Sequence, residues 1–312
     1  MKYLYLDQNG WIYLAKGWHE GKGELYEIAS KIKEEVDKGN LRVTLSLVNI
    51  LESRRISNRE RRERLINFMM DLSKGYSIFP FDDWVIESEI FRLFRNKIGQ
   101  GDIDIKSRII NQGISNLVGA QPTIQGDIPE DKKEEMIKKV NSVETMRLLL
   151  LSERKDISSS FIKEAERFEK VRRKERTMND KTIQYKVVMA NYFRDIIFPK
   201  MEIIHKKMKL PNDFLINENM NEKDWINLFQ QLPATYSYFS LTDRRDRDFN
   251  KKIEDNDLYD LFGFTMGVSY CDIFFGEKRF VDLAKKSKLD KIYGTIITSS
   301  LEEFKKAISE LT

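Results

Sequence analysis

The order of apolar and polar positions in the first 98 residues is typical of strands that alternate with helices. The opening run MKYLYL is apolar and ends at the turn signal DQNG, residues 7–10, so it predicts a buried strand followed by a helix from about Trp11. Five further elements continue the alternation: a helix over residues 25–36, a strand over 41–46, a basic helix over 52–70, a strand over 76–81 and a helix over 84–94.

The last 60 residues return to the same alternation after a different middle region. The end of the chain predicts a helix over 258–270, a strand over 271–275, a helix over 279–286, a strand over 291–298 and a closing helix over 301–311. Strand signals are missing between about Gly99 and Asn250. There, residues 99–126 are rich in loop-forming residues, and 144–176 and 182–208 predict long charged helices.

The predicted fold class is therefore α/β, with a parallel sheet flanked by helices and a large all-helical insertion. Alternating strands and helices at both ends of a chain indicate one parallel sheet. We expect residues 1–98 and 252–312 to form the two halves of one α/β domain, and residues 99–251 to form the insertion.

Composition narrows the chemistry that such a domain can carry. The 312 residues include one cysteine, Cys271, and two histidines, His19 and His205, which excludes an internal disulfide and ordinary Cys/His zinc sites. Catalysis should then rest on carboxylates, whose oxygens suit Mg²⁺ or Mn²⁺. The 54 basic and 50 acidic residues leave a net charge of only +4, which does not by itself indicate nucleic-acid binding.

The N-terminus and the hydropathy profile predict a cytoplasmic protein. The first strand is followed at once by polar residues, unlike a signal peptide, and no apolar run approaches the roughly 20 residues that span a bilayer. We expect no membrane contact.

Acidic residues are concentrated beside the predicted strands of the two halves. Ligands of parallel α/β sheets bind beyond the carboxyl ends of the strands, so acids placed there are candidates for a metal site. Six acids lie on or next to these elements: Asp7, Glu52, Asp257, Asp260, Asp272 and Glu277.

Each acid also has a structural interpretation, which the sequence leaves open. Asp7 could cap the helix that follows it, and Asp257 could be a first-turn acid favoured by the helix dipole. Glu277 could be a surface charge, and Glu52 could pair with Arg54 or Arg55.

The order of these motifs resembles that of the PIN-domain family of metal-dependent nucleases, over roughly the first 95 and last 60 residues. YLDQNGWIYL resembles the family's first strand with its acid, and TLSLVNILES, which ends at Glu52, resembles its second block. NDLYDLFGF followed by SYCDIFFGEKRF resembles the last block, with Phe280 as the closing aromatic. Gly276 stands where the family usually has Thr, and Glu277 where it has Asp.

The resemblance implies a metal-dependent endoribonuclease related to the nuclease halves of toxin–antitoxin pairs. Its catalytic residues and main metal ligands would be Asp7, Glu52, Asp260 and Asp272, with Asp257 and Glu277 as outer ligands. Clustered carboxylates repel one another and are tolerated when a divalent cation, here Mg²⁺ or Mn²⁺, neutralises them. The spacing to Cys271-Asp272 favours Asp260 over Asp257 as the third acid, and the choice stays open.

Basic residues near the acids are candidates for RNA contacts. A run of six arginines follows Glu52 directly, from Arg54 to Arg64, and another group precedes Asp257. The candidates are Arg54, Arg55, Arg59, Arg62, Arg244 and Arg245. The alternative is a set of solvated helix faces compensated by Glu60, Glu63 and Asp246.

Two other functions and several partners stay open. A PIN-like module that has lost activity would bind RNA or a protein partner, and a PIN-like DNA nuclease would use the same acids. The sequence decides neither the cleavage site nor the role of the insertion. It also leaves open an inhibitory or regulatory protein partner and a homo-oligomer.

Overall fold

A computed structural model describes residues 1–120, 129–152, 158–175, 181–211, 221–248 and 250–311. The strands are β1 (Lys2–Leu6), β2 (Leu41–Thr44), β3 (Tyr76–Ile78), β4 (Ile110–Gln112), β5 (Ile273–Phe275) and β6 (Ile296–Thr298). The helices up to residue 120 are α1 (Gln8–Glu20), α2 (Glu24–Asp37), α3 (Leu47–Arg54), α4 (Arg59–Ser73), α5 (Asp83–Lys97), α6 (Ile105–Ile109) and α7 (Ile114–Val118).

The remaining helices fill the middle region and the end of the chain. Those of the middle region are α8 (Glu130–Val140), α9 (Val143–Leu151), α10 (Ser158–Glu175), α11 (Lys181–Tyr192), α12 (Phe198–Met208), α13 (Glu222–Gln230) and α14 (Pro233–Asp246). A π-helical turn, Phe193–Ile197, joins α11 to α12. The last four are α15 (Asp255–Tyr270), α16 (Lys278–Lys286), α17 (Leu289–Tyr293) and α18 (Leu301–Ser309).

The main sheet joins the two ends of the chain, as predicted. Its strand order is β2-β1-β5-β6 and every pair is parallel. Leu4 of β1 faces Val43 of β2 on one side and Ile273 of β5 on the other. The α/β class and the parallel sheet flanked by helices are therefore confirmed.

Both faces of this sheet are buried, which explains why its strands are apolar runs. Leu4 and Leu6 point into a core formed with α1, α2, α4 and α18. Tyr5 points into the opposite core, where its ring stacks on Phe274 with centroids 4.9 Å apart. Parallel sheets covered by helices on both faces have such continuous apolar strands.

The middle region shares the second of these cores. Phe193 and Phe229 belong to the same buried cluster as Phe274 of β5, and α14 packs along α15. The buried carboxylate of Glu89 on α5 accepts bonds from the backbone N–H groups of Ala234 and Thr235, which start α14. The boundaries drawn at residues 98 and 252 stay a prediction.

One strand contradicts the expectation that the middle region contains only helices. β4 pairs antiparallel with β3, with Ser77 opposite Asn111. Leu45 connects this two-stranded sheet to the end of β2, because its N–H and C=O bond to Tyr76 and Ile78 at 3.0 and 2.7 Å. The stretch predicted to be loop-rich thus contains α6, β4 and α7, while its residues 121–126 lie outside the described residues.

Two other predicted elements differ from the structure, and a third lies partly outside the described residues. The basic helix over residues 52–70 is two helices, because Asn58 caps a new one by accepting the N–H of Arg61. The strand over 291–298 is shorter, because α17 occupies its start and ends at Gly294, whose φ is 71°. The helix predicted over 144–176 includes residues 153–157 and 176, which lie outside the described residues.

Within the described ranges, no helix is both long enough and apolar enough to span a bilayer.

Candidate active site

The first and last strands bring two of the predicted acids to the same edge of the sheet. Asp7 follows β1 and Glu277 lies two residues after β5. These strands are parallel neighbours, with Leu6 opposite Phe275, and the N–H of Asp7 bonds to the carbonyl of Phe275 at 3.0 Å. Asp7 and Glu277 therefore meet at the carboxyl edge, where ligands of such sheets bind.

Asp7 is buried, and it caps α1. Its Oδ1 accepts the backbone N–H of Gly10 at 2.7 Å, and the residue is 7% exposed. Burial raises the pKa of the Asp7 carboxyl to about 6, although the N–H groups of Gly10, Glu277 and Asn9 act to lower it. This confirms the role of Asp7 as a helix cap, which the sequence had suggested. The cap bond uses one oxygen of the carboxyl group, and the other takes no part in it.

Glu52 is carried to the same edge by α3. Ser46 caps this helix, and the Nδ2 of Asn49 donates to the carbonyl of Leu6 at 3.3 Å, which holds α3 over the end of β1. The Nε2 of Gln8 bonds to the Oγ of Ser53 at 3.0 Å and ties α1 to the same helix. Glu52, one turn after Asn49, therefore lies beside the end of β1.

Asp260 reaches the site from α15, which lies next to α3. Arg55 connects the two helices, because its Nη1 donates to Asn256 at 2.7 Å and its Nη2 lies 3.2 Å from Asp255. Asp260 follows Asn256 by about one turn on the same helix face. Its carboxyl group lies within hydrogen-bonding distance of the Glu277 carboxyl.

Burial and neighbouring negative charges raise the pKa values of three of these acids, Asp7, Glu52 and Asp260. Burial, and then the negative charge of Asp7, raise the pKa of Glu52 to about 8, while Arg55 lowers it. Burial, the hydrogen bond to Glu277 and the surrounding negative charges hold the pKa of Asp260 well above its usual range. Asp7, Glu52, Asp260 and Glu277 therefore form one interacting group, named the carboxylate cluster below.

The structure does not bring Asp257 to this cluster, and so favours Asp260 as the third acid. One Asp257 oxygen accepts the backbone N–H of Glu254 at 3.1 Å, which completes a capping box on α15. The other is paired with Arg279, and Lys251 lies 3.7 Å away. Asp257 is a neutralised helix-capping acid, as its structural interpretation from the sequence allowed.

Asp272 is also outside the cluster, which corrects its predicted role as a ligand. It precedes β5 and so lies at the amino edge of the sheet, and the three-residue strand between the edges spans about 10 Å. There its carboxylate accepts the N–H of Tyr3 at 2.8 Å and pairs with Lys2 and Lys106, each at 3.1 Å. These donors hold the pKa of Asp272 below its usual value despite partial burial.

Gly276, which lies between β5 and Glu277, is packed too closely to carry a side chain. A Cβ at this position would lie 2.4 Å from the ring of Phe274 and 2.9 Å from that of Phe264. These rings pack in the core with centroids 4.2 Å apart, so they have little room to move. A larger residue does not fit between them, so packing requires glycine at this position.

The cluster has the carboxylate oxygens that a divalent cation binds, but they are not arranged to hold one. Among the described side chains, no three His, Cys, Asp or Glu are arranged so that they could hold a metal ion. Burial and the neighbouring acids, Glu277 first among them, favour a proton on Asp260. A cation that replaced this proton would relieve the same repulsion, so the residues fit Mg²⁺ or Mn²⁺.

An unsatisfied atom beside the cluster supports this fit. The Oε1 of Gln8 is buried and, within the described part of the chain, accepts no hydrogen bond, while its Nε2 is used by Ser53. A buried acceptor without a donor costs about 1–3 kcal/mol, which a bound ion or water can recover.

Most of the arginines proposed to bind RNA do not point to the cluster. Arg59 pairs with Glu63 at 2.7 Å on its own helix, and Arg62 donates to the carbonyl of Ile56 at 2.9 Å. Arg54 and Arg244 are half-buried. Arg55, in contrast, acts on a cluster acid, because its charge lowers the pKa of Glu52.

Arg245 is a correction, because it is fully buried. Its Nε donates to Asp246 at 2.8 Å, and its guanidinium carbon lies 5.3 Å from the ring centre of Phe168. A side chain in this position cannot contact nucleic acid at the surface.

Two polar residues that position the site were not predicted from the sequence. Asn49 interrupts the apolar run LSLVNIL and is fully buried, and Gln8 directly follows Asp7. A polar residue inside an apolar run was the available signal, because buried amides are kept where they form hydrogen bonds.

Comparisons with protein-family models, with curated proteins and with solved structures give no match for this chain.

Proposed function

We propose that the protein is a PIN-like nuclease that hydrolyses RNA phosphodiesters with the help of Mg²⁺ or Mn²⁺. One observation carries the proposal: four acids from separate parts of the chain meet at the carboxyl edge of the sheet, where burial and neighbouring negative charge raise the pKa values of Asp7, Glu52 and Asp260. Buried acids that lie close together destabilise a fold when they are charged, and such groups are typical of functional sites. This arrangement therefore favours a site where a cation neutralises the acids.

Each residue of the cluster has a separate task in this proposal. Asp7, held by its cap bond to Gly10, presents a fixed carboxylate, Glu277 supplies a further carboxylate, and Asp260 supplies oxygens once its proton is lost. Glu52 approaches from α3, where Arg55 lowers its pKa and so favours the charged form. A bound divalent cation supplies charge stabilisation for the phosphodiester and lowers the pKa of an attacking water.

The test is cleavage by the purified protein with and without Mn²⁺. Transfer RNA, ribosomal RNA and mixed oligonucleotides are incubated with Mn²⁺ or with EDTA, and the products are separated by length. We expect Mn²⁺-dependent internal cleavage of RNA, and its loss in Asp7→Asn, because an amide is a poorer cation ligand than a carboxylate. Asn caps helices about as well as Asp, so α1 should stay intact.

Asp272→Asn is the matched control, because it removes the same charge at the opposite edge of the sheet. Equal loss of cleavage in both variants would contradict the assignment of the site. Absence of any Mn²⁺-dependent cleavage by the wild-type protein would contradict the proposed activity. Faster cleavage of DNA than of RNA strands of the same sequence would identify a DNA nuclease.

A module without activity is the second candidate function. It is favoured by the finding that, among the described residues, no three His, Cys, Asp or Glu are arranged so that they could hold a metal ion. Such a protein would bind RNA or a partner protein. Binding of RNA with no Mn²⁺-dependent change in thermal stability would support this candidate.

A further inference from the structure

Helix α10 of the middle region holds the segment that leads into α15. This lead-in segment, residues 250–254, ends directly before the first residue of α15. The guanidinium of Arg172 on α10 donates from Nη2 to the carbonyl of Lys251 at 2.7 Å, and from Nη1 to that of Asp248 at 3.1 Å. One side chain of α10 therefore bonds to the backbone at two points just before α15.

Arg172 acts together with Glu169, which lies one turn earlier on α10. The two side chains form an ion pair, and the residues are 1% and 5% exposed. The Oε2 of Glu169, which pairs with Arg172, also accepts the backbone N–H of Ile253 at 3.2 Å. A buried ion pair usually adds little net stability, because both charges lose their hydration. The Glu169–Arg172 pair is better explained by the backbone groups that it holds in place.

α10 also supports the face of α15 that lies opposite Asp260. Ala165 of α10 packs with Ile253 and Leu258 in a buried cluster, and Phe262 lies against the same cluster. Leu258 and Phe262 are four residues apart and share one face of α15. Asp260 is two residues from each, so it is turned away from them by about 200°. Asp260 therefore meets the other acids from a helix whose opposite face is packed on α10.

We propose that the Glu169–Arg172 ion pair positions Asp260 in the carboxylate cluster and so sets how tightly the site binds a divalent cation. The part that concerns the cation rests on the proposed nuclease function, whereas the positioning of α15 does not. Groups that bind a metal must be held within about 0.5 Å of their working geometry, so a small shift of α15 is enough to weaken the site. Glu169 and Arg172 act through α15 and are therefore positioning residues.

The first test replaces the ion pair by apolar side chains of similar size, in the double variant Glu169→Leu/Arg172→Met. Such replacements often leave a fold as stable as before, so the variant should still unfold cooperatively while it loses all three bonds to the backbone before α15. The dissociation constant of Mn²⁺, measured by titration calorimetry, should rise about tenfold, as is typical when the support of a metal ligand is removed. The Mn²⁺ concentration for half-maximal RNA cleavage should rise by the same factor. A merely structural role would leave both quantities unchanged.

Arg173→Gln is the matched control, because the exposed Arg173 bonds to the other oxygen of Glu169, at 3.0 Å. It removes one positive charge from α10 and keeps the three bonds to the backbone, so it should bind Mn²⁺ as the wild type does. If the double variant does not unfold cooperatively, Arg172→Lys decides in its place. Lysine keeps the buried charge but lacks the planar fork that reaches two carbonyls, so the dissociation constant should still rise, by a smaller factor. Wild-type affinity in the deciding variant, or an equal loss in Arg173→Gln, would overturn the inference.

Hydrogen exchange in EDTA separates this inference from the proposed function. In the deciding variant, the amides of residues 258–264 in α15 should exchange about tenfold faster than in the wild type, whereas those of β1 should keep their rate, because the loss of support is local. A wild-type protein that neither binds Mn²⁺ nor cleaves RNA would contradict the nuclease function. The positioning of α15 is then decided by exchange alone: faster exchange confined to α15 supports it, and an unchanged rate overturns it. Normal Mn²⁺ binding by the wild type, with unchanged affinity and exchange in the variant, would contradict the positioning role alone.

Discussion

Acidic residues lie at both edges of the sheet, and the two edges give them opposite properties. At the amino edge, Asp272 has an N–H and two lysines as partners, and its pKa is lowered. At the carboxyl edge, Glu52 and Asp260 face other acids, and their pKa values are raised. The comparison teaches that the partners of an acid beside a strand decide its effect on stability. Asp272 has cationic partners and stabilises the fold, whereas the acids of the cluster repel one another when no cation neutralises them.

The largest effect is expected at the carboxyl edge, where replacing Asp260 should reduce activity without reducing stability. Asp260→Asn should reduce Mn²⁺-dependent cleavage by about 100-fold or more, because a cation ligand is lost. The same change should leave the metal-free protein about as stable as the wild type, because Asp260 already holds a proton there and the Asn amide is also uncharged. Cleavage rates and urea unfolding in EDTA measure the two quantities.

Asp272→Asn should show the reverse pattern. Its loss weakens bonds to partly exposed lysines, so we expect a destabilisation of about 1 kcal/mol with nearly normal cleavage. If both variants lose stability and activity together, the distinction between the edges is wrong.

The second prediction concerns the response to a divalent cation. Mn²⁺ at about 100 times its dissociation constant should stabilise the wild-type protein by about 2.7 kcal/mol, because it binds only the folded state. The gain should be absent in Asp7→Asn and complete in Asp272→Asn. Thermal unfolding at increasing Mn²⁺ measures it, and an equal gain in both variants would place the cation away from the cluster.

The third prediction is that pH acts on the two edges with opposite sign. The pKa values of Asp7 and Glu52 are raised to about 6 and about 8, so the folded protein keeps protons that the unfolded chain releases above about pH 4. Metal-free stability should therefore fall as pH rises from 5 to 8, by about 1.4 kcal/mol per pH unit for each such proton.

Urea unfolding in EDTA across this pH range measures the effect. Glu52→Gln removes one titrating group and should flatten the dependence, whereas Asp272→Asn should leave it unchanged. The lowered pKa of Asp272 means that its stabilisation is present at neutral pH and is lost only as pH falls below about 4. A slope as steep in Glu52→Gln as in the wild type would contradict the raised pKa of Glu52.

The same two edges show what the sequence could predict. The alternation of strands and helices was enough to predict the parallel sheet, and a residue that ends a strand must lie at its carboxyl edge, as Asp7 does. By the same rule Asp272, which precedes β5, belongs at the amino edge, and only the motif resemblance placed it in the site.

Other parts of the structure depend on contacts that a sequence does not show. Arg245 lies in a basic run typical of a surface, and its burial against Phe168 is decided by the packing of α10 on α14. β4 is three residues long and has one partner strand, so its pattern is too short to recognise. The break between α3 and α4 contains neither Gly nor Pro, and it depends on the Asn58 cap.

The smallest expected effect comes from Arg55, a cation that acts both on the cluster and on the helix that carries Asp260. Arg55 favours the charged form of Glu52 and also bonds to Asn256 and Asp255 at the start of α15. Arg55→Gln should raise the pKa of Glu52 further, so the pH at which cleavage reaches half of its maximum should move upward by less than one unit. Because the side chain is exposed, the loss of stability should stay below about 1 kcal/mol.

Arg59→Gln, which changes the same charge on the neighbouring helix, should leave the pH profile of cleavage in place. A profile that shifts equally in both variants would mean that net charge, and not contact with the cluster, sets the proton affinity of Glu52.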